Sequence, residues 1–192
     1  MTDLFVLTAD ADALAVMNAV LARPVELGIR PITFKVDRHF GRDPGLVKDG
    51  PELVRMKAPK REFAKTILLW DCAGSGWERR YTPAQSEERV QARLDGVTWK
   101  NHSRAFVLVP ELEAWLCQDE AALERFPGVG TSSLSLLADP KESIERVFYS
   151  RSQRIPRPKD FERIARFADL TRWRRDLSFD SLVTALQAWF GV

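Results

Sequence analysis

The residues best suited to chemistry in this sequence are carboxylates that follow four apolar runs. The turns after these runs are TADAD (8–12), VDRHFGRDPG (36–45), WDCAGSG (70–76) and VPELE (109–113). Together they carry Asp10, Asp12, Asp37, Asp43, Asp71, Glu111 and Glu113. Carboxylates that lie close together repel one another unless a cation joins them, and an all-oxygen ligand set suits Mg²⁺ or Mn²⁺ better than zinc. The pattern therefore predicts a divalent metal site.

Each turn also has a structural interpretation, which stays open at this point. Asp10 or Asp12 can cap a helix, and Asp71 begins a glycine-containing turn, where Asp is common. Glu111 and Glu113 follow Pro110, and proline and negative charge are both favourable in a first helical turn. The period of the apolar residues that follow predicts a helix from about 111, in which positions two apart diverge by ~200°. We therefore expect Glu111 to be a metal ligand and Glu113 to cap or orient it.

The apolar runs indicate an α/β fold that would bring these turns together. Strands are predicted at 4–8, 29–36, 65–70 and 104–109, and helices between them at 12–22, 49–57 and 84–95. Alternation of this kind predicts a Rossmann-like, mostly parallel four-stranded sheet with helices on both faces. In such sheets, binding sites form outside the carboxyl ends of the strands. The acidic turns all lie at those ends.

The rest of the chain is predicted to be helical. Helical patterns cover 111–126, 140–149, 159–167 and 178–190, and they are interrupted by Pro and Gly at 127–130 and by RIPRPK. We expect one domain over 1–192, with an α/β core at 1–118 and a helical, basic extension at 119–192. Tryptophans 115, 173 and 189 fall among helical apolar positions and are interpreted as core.

Composition excludes several classes of protein. The chain has 192 residues, of which 45% are apolar and 29% charged, as in globular domains. It contains no run of the ~18 apolar residues that a membrane span needs, and its start, MTDLFVL, is unlike a signal peptide. We therefore expect a cytoplasmic protein with no membrane partner. Two histidines and two cysteines are too few for a usual zinc cluster or a disulfide framework.

Positive charge is concentrated in the C-terminal third, although the net charge is only +2. Residues 144–176 carry ten Lys or Arg against five Asp or Glu, and the stretch SRSQRIPRPK contains Arg151, Arg154, Arg157 and Lys159 but no acid. Such a strip could contact nucleic-acid phosphates, dock an acidic partner protein, or be a solvated face with local ion pairs. We expect nucleic-acid binding.

Three further residues are weaker candidates for the same chemistry. Lys141 follows Asp-Pro at a predicted helix start, where it could reach an anion or simply be solvated. His39, with Arg42 nearby, could act as an acid, a base or a phosphate contact. A lone histidine in a loop is also commonly without function.

Four motifs of the chain resemble a Toprim-like family of bacterial phage-defence proteins. They are VPELEAWL and WDCAGSG after strands, DPKESIERV, and the closing RWRRDLSFDSLVTALQAWF. The opening ADADALAVMNAVLARPVELGIRPITFKVDRHFGRDPG is most similar to the small Toprim-like component of methylation-associated defence systems. The resemblance runs over nearly the whole chain.

This resemblance implies a Toprim-type core whose acidic loops hold Mg²⁺ or Mn²⁺ for phosphodiester chemistry. Asp71 matches the acidic residue after the third strand, and Glu111 or Glu113 matches the carboxylate after the fourth. Two positions depart from the family pattern: the first turn, TADAD, lacks a glutamate, and Ala73 stands where the family has the second Asp of Asp-x-Asp. Fewer carboxylates imply weaker metal binding or a single ion.

Two functions follow as expectations. The first is a metal-dependent nuclease inside a defence complex, in which Asp71 and Glu111 hold the ion and Asp10 or Asp12 completes the ligand set or activates water. The second is a non-catalytic, Toprim-derived subunit that binds nucleic acid or regulates a partner defence protein.

Overall fold

The sheet of this protein consists of four parallel strands, as seen in a computed structural model. The structure describes residues 1–59, 61–125 and 139–192, with only the backbone at 150–152. The strands are β1 (Thr2–Thr8), β2 (Phe34–Arg38), β3 (Phe63–Asp71) and β4 (Ser103–Leu108). They pair in the order β2-β1-β3-β4, and every neighbouring pair is parallel. The predicted fold class is confirmed.

Helices flank the sheet and make up most of the described C-terminal region. They are α1 (Ala11–Leu21), α2 (Pro24–Leu27), α3 (Arg42–Lys57), α4 (Pro83–Leu94), α5 (Glu113–Leu116), α6 (Glu120–Glu124), α7 (Pro140–Ser152), α8 (Pro158–Phe167), α9 (Leu170–Trp173) and α10 (Leu177–Phe190), with a π-helical turn at Asp95–Trp99. The predicted break at 127–130 lies outside the described residues. No helix in the described part of the chain is both long enough and apolar enough to cross a lipid bilayer.

Two hydrophobic cores lie on opposite faces of the sheet. Side chains alternate along β1, so that Leu4 and Val6 enter one core while Phe5 and Leu7 enter the other. The first core contains residues of α1, α5, α8 and α10, and the second contains residues of α3 and α4. Burial on both faces explains why β1 and β3 are continuous apolar runs.

The C-terminal helices share the first core with the sheet. Trp115 of α5 and Trp173 of α9 are both fully buried and pack against Phe179 of α10, with ring centroids 4.9 and 5.4 Å from it. Trp115 Nε1 also donates to Ser178 Oγ at 2.7 Å. The core interpretation of Trp115 and Trp173 is therefore confirmed, whereas Trp189 is only partly buried. This aromatic cluster fixes α5 beside the carboxyl end of β4.

The predicted start of β2 was wrong. The strand begins at Phe34 rather than at Ile29, because Pro31 has no N–H to donate to a ladder. Ile29 instead forms an isolated antiparallel bridge with Gly191 near the C-terminus.

The predicted start of α3 was also wrong. The helix was predicted at 49–57, but α3 begins at Arg42. Pro44 lies in the first turn, where it is tolerated. Gly45 is required by close packing, since a Cβ there would lie 2.6 Å from Cε1 of His39.

Arg93 of α4 compensates for the proline inside α3. Pro51 cannot donate to the carbonyl four residues before it, that of Val47. Arg93 Nη1 donates to this Val47 oxygen at 2.8 Å, and its Nη2 reaches Lys48 O and, at 2.6 Å, Glu52 Oε2. One guanidinium thus satisfies the interrupted part of α3 and ties α3 to α4.

We predict that Arg93→Met lowers the free energy of unfolding by about 1–3 kcal/mol, because it leaves the Val47 carbonyl without a donor. Urea denaturation measures the loss. In a Pro51→Ala background the same substitution should cost less, since an alanine at this position can supply the missing N–H. Equal costs in the two backgrounds would contradict this account, and Arg55→Met on the exposed face of α3 is the control.

Candidate metal centre and adjoining cleft

The strand order places a crevice between β1 and β3. From β1 the chain proceeds outward to β2 on one side, whereas β3 and β4 lie on the other side. Parallel α/β sheets bind ligands outside the carboxyl ends of the strands at such a reversal. Asp10 follows β1 and Asp71 is the last residue of β3, so both lie at this crevice.

Three carboxylates come together there. Oxygen atoms of Asp71, Glu111 and Glu113 all lie within 4.8 Å of one another, the one group of this kind found in the described residues. Asp71 and Glu111 are partly buried, and Glu113 is only 8% exposed. The donor set is entirely oxygen, which suits a hard divalent cation.

Main-chain hydrogen bonds join the segment after β4 to the turn after β3. Cys72 N–H donates to Leu108 O at 2.9 Å, and Ala73 N–H donates to Pro110 O at 3.0 Å. Leu112 N–H in turn donates to Asp71 Oδ1 at 2.9 Å. These bonds hold residues 109–112 against the end of β3 and bring Glu111 to Asp71.

The predicted helix from 111 was wrong at its start. The helix α5 begins at Glu113, so Glu111 precedes it, and the Val109–Pro110 peptide bond is cis. The ~200° angle between helical positions two apart therefore does not separate Glu111 from Glu113. Both glutamates approach Asp71, and Glu113 belongs to the same group as Glu111 rather than only orienting it.

The N-terminus of α7 contacts Glu111 from the other side. Lys141 N–H donates to Glu111 Oε1 at 3.2 Å, while Asp139 caps the helix by accepting from Glu142 N–H at 3.0 Å. Burial disfavours the Lys141 ammonium, but Glu113 and Glu111 outweigh this effect and raise its pKa. The positive charge of Lys141 is thus stabilised by these two carboxylates.

Three more carboxylates surround the group without belonging to it. Asp10 Oδ1 caps α1 by accepting from Ala13 N–H at 2.8 Å. Asp43 Oδ1 accepts the main-chain N–H of Asp71 at 2.8 Å. Asp12 has one buried carboxylate oxygen with no hydrogen-bond partner in the described structure. Catalytic roles for Asp10 and Asp12 remain predictions.

Burial and mutual repulsion raise the pKa values of these acids. Burial, with the neighbouring charges of Asp43, Glu113 and Asp10, raises the pKa of Asp71 well above its usual range. Burial and Glu111 raise the pKa of Glu113 to about 7, and burial and Asp10 raise the pKa of Asp12 to about 6. Burial is also the main cause of the raised pKa values of Glu111 and Asp43. A bound cation would relieve this repulsion.

A cleft of about 920 Å³ adjoins the carboxylates. One wall consists of the turns after β1 and β2, and the other of Lys141 and residues 155–158, which end the connection between α7 and α8 and begin α8. Asp10 and Asp12 line it together with the cations Arg38, Arg42, Lys141 and Arg157. Asp71, Glu111 and Glu113 do not line the cleft themselves; Lys141, whose N–H binds Glu111, and Asp10, whose charge acts on Asp71, connect the cleft to the three carboxylates.

His39 is fixed inside the protein. It is 2% exposed, its Nδ1 accepts Gly41 N–H at 3.0 Å, and its Nε2 lies 2.7 Å from Asp49 Oδ1. Burial and the Nδ1 hydrogen bond fix the ring in the turn between β2 and α3, and this geometry favours a structural role. Arg42 is exposed at the cleft, and its φ of 52° is uncommon for a residue with a side chain.

The basic residues predicted to bind nucleic acid have different environments. Arg154 forms a bidentate pair with Asp160, at 2.6 and 2.9 Å, so its charge is compensated. Arg157 lines the cleft, and both Arg157 and Lys159 are exposed. The side chain of Arg151 lies outside the described residues. Their binding of nucleic acid remains a prediction.

Phe40, an aromatic side chain that is 83% exposed at the cleft, was not among the residues predicted from the sequence. Its signal was an aromatic residue inside an otherwise polar turn, DRHFGRD.

No known protein family, curated protein or solved structure matches this chain. The likeness to Toprim-like defence proteins therefore rests on the sequence motifs and on the agreement in fold class.

We predict that Glu113→Gln becomes more stable relative to the wild type as pH rises in the presence of a chelator. The wild-type Glu113 has a pKa of about 7 when folded and about 4.5 as its ordinary value, so its protonated form favours folding. That contribution is complete below about pH 4.5 and is lost as pH rises through about 7, by up to ~3 kcal/mol.

Urea denaturation at about pH 5 and about pH 8 measures the difference. Glu88→Gln, at an exposed position of α4, is the control and should show no such trend. If the difference in unfolding free energy between Glu113→Gln and the wild type stays constant across this pH range, the prediction is wrong.

Proposed function

We propose that this protein is a Mg²⁺- or Mn²⁺-dependent enzyme that cleaves phosphodiester bonds of nucleic acid in bacterial phage defence. The observation that carries the proposal is the convergence of Asp71, Glu111 and Glu113 from the ends of two neighbouring strands. The adjoining cleft, with its exposed guanidinium groups, supports a phosphate-containing substrate. The defence context comes from the sequence resemblance.

The three carboxylates fit a single hard cation. Ligand oxygens around an octahedral Mg²⁺, with bonds of ~2.0–2.1 Å, lie at most ~4.2 Å apart. At least two of the three oxygen pairs would be adjacent ligands, ~3 Å apart, so oxygens up to 4.8 Å apart need side-chain shifts of about an ångström each. The buried, unpartnered oxygen of Asp12 belongs to the lining of the cleft and not to this group.

When bound, the metal would stabilise negative charge on the phosphate and lower the pKa of a coordinated water. Asp71, Glu111 and Glu113 would hold it. Lys141 would place a positive charge where the phosphate approaches the glutamates. Asp10, whose Oδ1 accepts Ala13 N–H and whose charge acts on Asp71, is the proposed acceptor of a proton from water.

The alternative is a non-catalytic subunit that binds nucleic acid or regulates another defence protein. One observation favours it: Ala73 occupies the position of the second Asp of Asp-x-Asp, and its N–H is bonded to Pro110 O. A single-ion site of three carboxylates would then serve structure or binding. Nucleic acid and other defence proteins are the proposed partners in either case.

We predict that Mn²⁺ raises the melting temperature of the wild type and supports cutting of labelled DNA or RNA. Asp71→Asn should abolish the thermal shift and slow cutting by about 100-fold or more, since losing one electrostatic stabiliser commonly costs ~10²–10³ in rate. Glu113→Gln should likewise reduce both the thermal shift and the rate of cutting.

The matched control is Glu88→Gln, which removes an exposed acid on α4 and should respond to Mn²⁺ as the wild type does. Cutting by Asp71→Asn at the wild-type rate would contradict the enzyme assignment. A normal metal shift without cutting of any substrate, alone or with partner proteins, would instead favour the non-catalytic subunit.

A further inference from the structure

The cleft beside the metal centre has an apolar lip. Phe40 stands at one wall with 83% of its surface exposed, and Ile155, 63% exposed, stands at the other. Pro156 and Pro158 line the same wall as Ile155. Large exposed apolar side chains on both sides of a charged cleft indicate a ligand with flat apolar surfaces as well as charge.

Phe40 is supported from beneath as a rigid platform. Its ring stacks on that of His39, with centroids 4.7 Å apart and planes inclined by 23°. His39 is in turn fixed by Gly41 N–H and by Asp49, and Gly45 packs so closely that no side chain would fit. One face of Phe40 is thus held by the protein and the other is left free. A pre-positioned aromatic surface loses little entropy when a second ring stacks on it.

The cations of the cleft are available for phosphates. Arg38, Arg42 and Arg157 are exposed and take part in none of the ion pairs of the described residues. The acidic side chain at this end of the cleft, Asp37, is paired with Lys57 at 2.7 Å. The stacking surface therefore lies among guanidinium groups that form no direct ion pair in the described residues, although the charge of Arg42 acts on Asp12 and that of Arg157 on Asp160.

We propose that this cleft binds single-stranded nucleic acid, with an unpaired base stacked on Phe40 and the adjacent phosphates on Arg38, Arg42 and Arg157. The strand would continue past Lys141 to Asp71, Glu111 and Glu113. This inference deepens the proposed function by naming the substrate class, and it rests on that function only for the cleavage step.

The chemistry of stacking selects single strands. In a duplex, each base is covered by its neighbours, so its flat face cannot reach a side chain such as Phe40. Proteins that bind single strands combine aromatic platforms with a positively charged groove, as this cleft does. A site that used only arginine contacts with phosphates would bind a duplex equally well.

Fluorescence anisotropy with labelled oligomers of about 12 nucleotides tests the proposal, since single-strand sites span ~4–16 nucleotides. Single-stranded DNA, single-stranded RNA and a duplex of the same sequence are compared, with chelator or with Ca²⁺ to separate binding from cutting. Phe40→Ala should weaken single-strand binding about tenfold, and Phe40→Trp should restore it. Leu177→Ala, which truncates an apolar side chain that is also 83% exposed but lies outside the cleft, is the control.

Charge is tested in the same assay. Arg157→Gln should weaken binding and reduce its salt dependence, whereas Arg175→Gln, which removes an exposed charge outside the cleft, should do neither. Binding by Phe40→Ala equal to that of the wild type, tighter binding of the duplex, or no single-strand binding under either metal condition would overturn the proposal.

Failure of this inference can be told apart from failure of the proposed function. If single-strand binding depends on Phe40 but no metal-dependent cutting occurs, the single-strand inference is supported and the enzyme assignment is wrong. Suppose instead that metal-dependent cutting is lost in Asp71→Asn, is faster on duplex and is unchanged by Phe40→Ala. The enzyme assignment is then supported and the single-strand inference is wrong.

Discussion

The repulsion between carboxylates at the ends of β1, β3 and β4 is the interaction on which the organisation of this site depends. Two unit charges 4–5 Å apart near a protein surface repel by about 4 kcal/mol at an effective dielectric constant of ~20. Asp71, Glu111 and Glu113 lie within such a distance, with Asp10 and Asp43 close enough to raise the pKa of Asp71 further. Without a cation, the protein holds this arrangement by partial protonation and by its own hydrogen-bond donors.

Main-chain donors and a well-packed aromatic core offset that repulsion. Leu112 N–H and Lys141 N–H each bind one carboxylate of the group, and Ala13 N–H binds Asp10. Trp115, fully buried two residues after Glu113, anchors α5, and burying such a side chain contributes roughly 1.5–3 kcal/mol or more. Asp71 and Glu113 therefore lie at the ends of a strand and a helix, and Glu111 lies in a segment held by main-chain hydrogen bonds, which is the kind of support that a pre-organised metal site requires.

The sequence predicted the fold class and the four acidic turns, because both depend on local patterns. Continuous apolar runs identify β1 and β3, and the carboxyl ends of parallel strands must meet at one edge. The relation between Glu111 and Glu113 could not be read in this way. It depends on Ala73 bonding to Pro110 and on Asp71 accepting from Leu112, contacts between residues about 40 positions apart that override the helical period after 111. The burial of His39 likewise depends on how the first turn of α3 packs, because Gly45 of that turn lies against the His39 ring. Phe40 follows His39 and stacks on it, a contact that no local pattern predicts.

Anomalous scattering of Mn²⁺ in crystals of the protein would show directly whether the carboxylates bind a metal. We expect one strong anomalous peak beside oxygens of Asp71, Glu111 and Glu113, at the crevice between β1 and β3, and we expect it to disappear in Asp71→Asn. Absence of a peak there, or manganese bound only elsewhere on the surface, would contradict the claim that these carboxylates form a metal centre.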